Sequence, residues 1–378
     1  MSGPWGRRLG VVVSALAIAA CSGAPILALP PAARPTSAPA TPAPDRPADP
    51  LPVVLPRDDG PHDRLTEWWY YTGHLRDTTG GRWGFEFVVF RAERGSLPES
   101  WASHLAITDE DGGRFHYGQR SEIGVQADRS PAGPGGPRGF DLAVSGNGVA
   151  SPSSRWPWSM RGANGTDVLA ATLDDGTGLA LELRTDRAPA LHDRDGWIDF
   201  GPAGGSYYYS RTRMDARGSL DVAGRTLPVD GIAWFDHQWG DFIAVGGGGW
   251  DWFAVNLEDG TDITLSLVRD RDGGYPLVYG TLVDGGGARH LEASAFRVEA
   301  TDHWTSPASG ATYPAAWRID VPGEDLRIDL RPTVAGQELD TRASTGVVYW
   351  EGSQRVAATR DGRPLRGEAY VELTGYAG

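Results

Sequence analysis

The sequence predicts an all-β protein whose folded part is two similar antiparallel barrels in tandem. Three observations carry this reading. Strand-like segments with period-two alternation recur about every ten residues beyond Pro61, separated by Gly, Asp and Asn turns. A content of 52 glycines and 15 tryptophans describes many tight turns between strands whose large rings must be buried or stacked. The chain also repeats itself: Glu67-Trp68-Trp69-Tyr70-Tyr71, up to Leu75 and Asp77, is echoed 182 residues later by Trp250-Asp251-Trp252-Phe253, up to Leu257 and Asp259.

The N-terminus reads as a targeting segment. Arg7 and Arg8 precede an uninterrupted small and apolar stretch, Leu9 to Ala20, which is of signal-peptide length and too short to span a bilayer. It ends in Ile18-Ala19-Ala20-Cys21, a lipobox pattern, and Cys21 is the single cysteine of the chain. The expectation is a lipoprotein signal peptide over 1–20, lipidation at Cys21, and a mature protein exported to the cell envelope. It would be anchored on the outer face of the cytoplasmic membrane or in the periplasm. Residues 21–60 are rich in Pro and Ala and read as an extended spacer. One barrel is then expected over 61–240 and a second over 241–378.

Within the first barrel, Arg82 to Phe90 (RWGFEFVVF) places Trp83, Phe85, Phe87 and Val89 on one face. Further strands are expected at Ala102–Thr108, Arg114–Ile123, Asp167–Leu173, Leu179–Thr185, Ser206–Met214 and Leu227–Phe235, with a loop insertion over 129–139 (RSPAGPGGPRG). The join, near 240–249, holds Gly246-Gly247-Gly248-Gly249, which suits either a linker or close backbone packing. The second barrel opens on the repeated aromatic strand and continues with Asp262–Val268. No stretch keeps an amphipathic helical period, so helix should be scarce.

Composition removes several chemistries. The net charge is −14 and every basic residue is Arg, which argues against nucleic acid as a partner. Without Lys there is no Schiff-base chemistry and no Walker-type phosphate loop. No Gly-x-Ser-x-Gly occurs, and neither His-x-His nor a Cys pair supports a metal site, so no cofactor and no metal are expected.

Three segments are distinctive together: EWWYYTGHL at 67–75, WFDHQWGDF at 234–242 followed by GWDWF at 249–253, and YWEG at 349–352 with GRPLRGEAYVELTGY at 362–376. In that order they resemble the lipocalin-like AttH and carotenoid 1,2-hydratase family, which also resembles the fungal kievitone hydratases. The resemblance runs from about residue 60 to the end. It implies two consecutive lipocalin-like β-barrels packed together, with ligands in the barrel mouths or between them, and ABC-transport components as partners. It also implies roles for His237 and Trp239, which match the His-x-Trp of the hydratases. The Tyr-x-Asp that follows in those enzymes has no counterpart in Asp262–Gly273 (DITLSLVRDRDG).

Hydrating an isolated isoprenoid alkene needs a strong acid beside aromatic faces that bear the resulting cation. WFDHQWGD supplies Asp236, His237 and Trp239, so these and Asp251 are the catalytic candidates. Glu67, Trp69, Tyr71, Trp250 and Trp252 are the ligand-binding candidates. On a strand Asp236 and Gln238 face one way and His237 and Trp239 the other, so a bend or another strand must unite them. The plainer reading is that the tryptophans close the barrels while Asp236 and His237 tie strand ends. Three functions therefore stand open. One is an AttH-type lipoprotein binding a hydrophobic small molecule, lipid or isoprenoid. A second is a hydro-lyase or isomerase acting on an isoprenoid or polyene double bond, and a third a structural surface module.

Overall fold

The computed structural model describes residues 48–131, 138–146, 158–242 and 247–377. The signal segment, Cys21, most of the spacer and parts of the 129–139 loop lie outside the described residues. The first unit contains β1 (Thr66–Asp77), β2 (Arg82–Ala92), β3 (Ser100–Asp109), β4 (Arg114–Ile123), β5 (Phe140–Val144), β6 (Trp158–Ala163), β7 (Thr166–Thr172), β8 (Gly178–Arg184), β9 (Ala190–Leu191), β10 (Trp197–Asp199), β11 (Gly205–Val222) and β12 (Arg225–Gly240). The second contains β13 (Gly247–Leu257), β14 (Asp262–Asp270), β15 (Leu277–Asp284), β16 (Gly287–Glu292), β17 (Arg297–Thr305), β18 (Thr312–Val321), β19 (Leu326–Pro332), β20 (Glu338–Asp340), β21 (Val348–Arg360) and β22 (Arg363–Thr374). Helix among the described residues amounts to isolated three-residue 3-10 turns.

Each unit is an antiparallel sheet that curls until its first strand pairs with its last. β1 bonds both β2 and β12, and β13 bonds both β14 and β22. The fold is thus two consecutive lipocalin-like barrels, and the two copies of the sequence repeat occupy the same place in each. The alternation does the sorting. Trp69, Tyr71 and Leu75 from β1, with Trp83, Phe85, Phe87 and Val89 from β2, fill the interior of the first barrel. Phe253, Val255 and Leu257 do the same in the second.

The intervening positions would face water in a solitary barrel. Here Trp68, Tyr70, Val88, Phe90 and Trp234 meet Trp250, Trp252, Ala254 and Tyr370 in a separate apolar cluster, so the outer faces of the two barrels are packed on each other. Polar contacts fasten the same surface. Buried Asp262 of β14 accepts from Thr212 at 2.8 Å and from Arg213 Nη2 at 2.5 Å, both on β11. His104 Nδ1 lies 2.7 Å from the Tyr349 hydroxyl, and Thr108 donates to Gln337 at 2.8 Å.

Two expectations are corrected. Residues 48–60, expected to belong to the spacer, pack on the first barrel because they carry acids its interior needs. Asp59 is fully buried and accepts from Tyr209 at 2.5 Å and Arg211 at 2.6 Å, while Asp49 pairs with Arg64 at 2.7 Å. The hairpin β11–β12 is also much longer than the Ser206–Met214 and Leu227–Phe235 segments, spanning 18 and 16 residues. Its distal part continues the ladder and still alternates, with Ala216, Leu220 and Val222 of β11 and Leu227 and Val229 of β12 in or against the first core, Gly218 being the break in the pattern.

Of the glycine run at the join, Gly247 to Gly249 serve close backbone packing rather than a free linker. Gly247 and Gly249 take φ of +81° and +88° around a bulge that starts β13, and a Cβ on Gly249 would lie 2.3 Å from the Thr374 carbonyl.

Candidate active site

A cavity of about 460 Å³ lies between the barrels, walled by the outer faces of β1, β2, β12, β13, β14 and β22. Trp68, Tyr70, Phe90, Phe242, Trp250 and Trp252 supply its aromatic surface, and Gly247, Gly249, Gly346 and Gly375 also line it. Asp236, Glu86 and Glu372 put carboxyl groups into this apolar space, and no arginine is among its described lining residues.

Burial governs these acids. A carboxylate taken out of water without a cation favours its neutral form. Desolvation pushes both Asp236 and Glu372 up to about 7, and holds Glu86 and its neighbour Glu351 well above the ordinary range. Their hydrogen bonds differ. Asp236 accepts from Tyr208 at 2.5 Å, from Trp234 Nε1 at 2.7 Å and from Ser210, whereas Glu372 accepts from Trp250 Nε1 at 3.0 Å. Three donors stabilise an ionised Asp236, and that negative charge in turn raises Glu372. Both carboxyls thus titrate around neutrality, and the richer donor set of Asp236 favours the state in which Asp236 is the carboxylate and Glu372 the acid.

Asp236 also belongs to a chain of hydrogen bonds leading out of the cavity. Ser210 bridges it to His192 Nε2 at 2.6 Å, and His192 Nδ1 meets Thr281 of the second barrel at 2.8 Å. On its other side Tyr208 receives the indole N–H of Trp252 at 3.0 Å. Both barrels thus orient one carboxyl group.

The structure divides the candidate residues named from sequence among three compartments. Asp236, Trp250 and Trp252 line the cavity. Glu67, Trp69, Tyr71, His237 and Trp239 point the other way, into the first barrel, where His237 Nε2 bonds Glu67 Oε1 at 2.9 Å and stacks on Trp69. Asp251 projects from the opposite face of β13 to Trp250 and Trp252, and the Tyr376 hydroxyl donates to it at 3.0 Å. β12 carries no bend that unites Asp236 with His237, because its register with β1 runs unbroken from Gly240 to Val229. Sequence reading missed Glu372, Glu86, Trp68, Tyr70 and Tyr208. The available signal was that β1 is aromatic on both faces, as TEWWYY, which leaves no face for solvent.

Comparison with known proteins agrees with this architecture. The family model for AttH-like proteins matches residues 46–376. The chain belongs to the AttH-like family. An AttH protein of Nitrosomonas europaea is similar in structure, with a TM-score of 0.70 and 29% identity over 86% of this chain and 98% of its own. Kievitone hydratase from Nectria haematococca shares the fold at a TM-score of 0.64 and 16% identity, covering 85% of this AttH-like chain and 93% of its own. The dehydratase asqC of Emericella nidulans is 22% identical over 255 residues, 62% of this chain and 72% of its own.

Proposed function

We propose that this AttH-like protein is a hydro-lyase that adds water to, or removes it from, a neutral apolar substrate held between the barrels. The observation that carries the reading is the Asp236–Glu372 pair, two buried carboxyls with unequal hydrogen bonding in an aromatic cavity. The hydratase and dehydratase among its relatives support the same class of chemistry.

In the dehydration direction the Glu372 carboxyl protonates the leaving hydroxyl, the C–O bond breaks and water departs. The Asp236 carboxylate then takes a proton from the adjacent carbon, and that C–H pair becomes the double bond. Electron-deficient character on the carbon is met by the faces of Trp68, Trp250 and Trp252 and by the neighbouring carboxylate. Hydration is the reverse: protonated Asp236 delivers its proton to the alkene carbon, and the Glu372 carboxylate takes a proton from the attacking water and so returns to its acid form. The Ser210–His192 chain offers a path for the proton that Asp236 gains.

This differs from the His237-centred version expected from sequence, since His237 lies across the sheet from the cavity. A cavity of this size takes a substrate of roughly twenty to twenty-five non-hydrogen atoms, within the usual range of small-molecule sites. Export and anchoring through Cys21 remain part of the proposal, and would place the reaction at the cell envelope. The test incubates the protein with tertiary and allylic terpenoid alcohols and the matching alkenes in H2-18O, followed by mass spectrometry. Gain or loss of water with 18O entry, abolished in Glu372→Gln, is the expected result. Alcohols that bind competitively in the cavity without any 18O exchange would refute it.

A further inference from the structure

Inside the first barrel, on the side of β12 away from the cavity, three side chains converge without any part in the reaction above. Glu67 Oε1 receives His62 Nδ1 at 2.7 Å and His237 Nε2 at 2.9 Å, and all three donor atoms lie within 4.8 Å of one another. Glu67 and His237 are fully buried; His62 is partly exposed at the barrel end.

We propose that His62, Glu67 and His237 form a binding site for one divalent transition-metal ion of the zinc class, with water completing its coordination. Two imidazoles and one carboxylate are a donor set that such ions accept, with positions left open. Bonds of about 2.0–2.2 Å place neighbouring donors about 2.9 Å apart at right angles and about 3.4 Å apart in a tetrahedron. The two separations to Glu67, 2.7 and 2.9 Å, are close to the first arrangement and open by about 0.5–0.7 Å for the second, while the two imidazole nitrogens lie within 4.8 Å of each other.

Glu67 and His62 are also held from behind by polar groups, which sets a metal site apart from a chance cluster. Glu67 Oε2 accepts the backbone N–H of His62 at 2.9 Å, and His62 Nε2 faces Asp58 Oδ1 at 3.6 Å. The His62 ring lies flat on Trp239, centroids 4.1 Å apart and planes 2° from parallel, while His237 is stacked on Trp69. His237 Nδ1 has no hydrogen-bond partner, so Glu67 is the one polar group that now engages that ring among the described residues. An ion would replace the two imidazole protons that Glu67 accepts. It would also fasten the segment carrying His62 to β1 and β12, closing that end of the barrel. The partly exposed His62 edge provides the way in.

The experiment uses untagged protein, freed of metal by chelation and titrated with zinc and with cobalt(II). The expected result is one equivalent bound, with cobalt giving the visible absorption of a nitrogen- and oxygen-ligated ion, and a rise in melting temperature on saturation. His62→Ala, which changes the least buried of the three, should weaken binding by about a hundredfold or more while the circular dichroism spectrum is kept. Glu67→Gln should do the same. Folded wild type that binds no stoichiometric metal, or a His62→Ala variant that binds as tightly as wild type, would overturn the proposal and leave a hydrogen-bonded His–Glu–His relay. Loss of metal does not touch Glu372 or Asp236, so this result stands or falls apart from the proposed hydro-lyase reaction.

Discussion

Tyr70 and Trp252 occupy the same position in the two sequence repeats and meet edge-on across the barrel interface, ring centroids 5.4 Å apart at 88°. Trp68 and Trp250, the preceding equivalent pair, both line the cavity beside them. The repeat therefore does more than duplicate a barrel. Each copy turns the same aromatic edge toward the other, and the space left between those edges is the site.

Tyr70 also reaches into the second barrel, where its hydroxyl donates to buried Glu351 Oε1 at 2.8 Å. Glu351 Oε2 has no partner, so Tyr70→Phe leaves the carboxyl with neither oxygen satisfied by that contact. The expected loss is about 1–3 kcal/mol in urea unfolding. Glu351→Gln should cost far less, because burial first and Glu372 next already hold this carboxyl toward its neutral form. Equal losses for the two variants would show that Glu351 is ionised.

Asp262 is the electrostatic pin between the barrels. It is fully buried and collects Thr212, Arg213, Arg187 at 3.1 Å and Asn256 at 2.7 Å. Asp262→Ala removes the buried counter-charge of Arg213 and Arg187 and one acceptor of Asn256, so the expected destabilisation is about 3–5 kcal/mol. Limited proteolysis should then cut between the barrels, near 241–247, faster than in wild type. An unchanged cleavage pattern would mean that the aromatic cluster alone holds the pair together.

Much of the fold was legible because period-two alternation is a local signal. Trp83, Phe85, Phe87 and Val89 share the core face as their spacing requires, and Arg114–Ile123 is reproduced to the residue. The repeat located the second barrel. The site was harder to read because alternation separates two faces without saying which is inside. Glu67, Trp69 and His237 looked functional for their chemistry, yet they fill the first barrel. The cavity is made by Trp68, Tyr70 and Asp236, one residue away in each case. Glu372 lies in β22, over a hundred residues from Trp250, and only the pairing of β13 with β22 sets Trp252 opposite it. No local pattern encodes that neighbour.

Gly249→Ala tests the bulge at the cavity rim. The residue combines φ of +88° with a carbonyl 2.3 Å from any Cβ, so strain and clash add, and the expected cost is about 1–3 kcal/mol or more. Gly323→Ala, where a Cβ meets nothing, serves as the control and should be nearly neutral. A rim that tolerates Gly249→Ala as well as Gly323→Ala would show that the start of β13 adapts.

The acid pair makes the final prediction, for both turnover and stability. Dehydration needs Glu372 protonated and Asp236 ionised, hydration the reverse, and both titrate at about 7, so the rate in either direction should follow a bell centred near neutrality. Stability follows from the sign of the shift. Glu372 is raised from 4.5 to about 7, so between those values the folded state holds a proton that the unfolded chain has released. Its contribution is present at low pH and is lost as pH rises through 7, on the order of 3 kcal/mol in full. Glu372→Gln cannot ionise, so relative to wild type it should gain stability steadily from pH 4.5 to 8, read as a widening difference in urea midpoint. The same substitution should abolish water addition at every pH. A difference in midpoint that does not change with pH would mean that Glu372 is already ionised in the folded protein, and the proton donor would then have to be sought at Glu86.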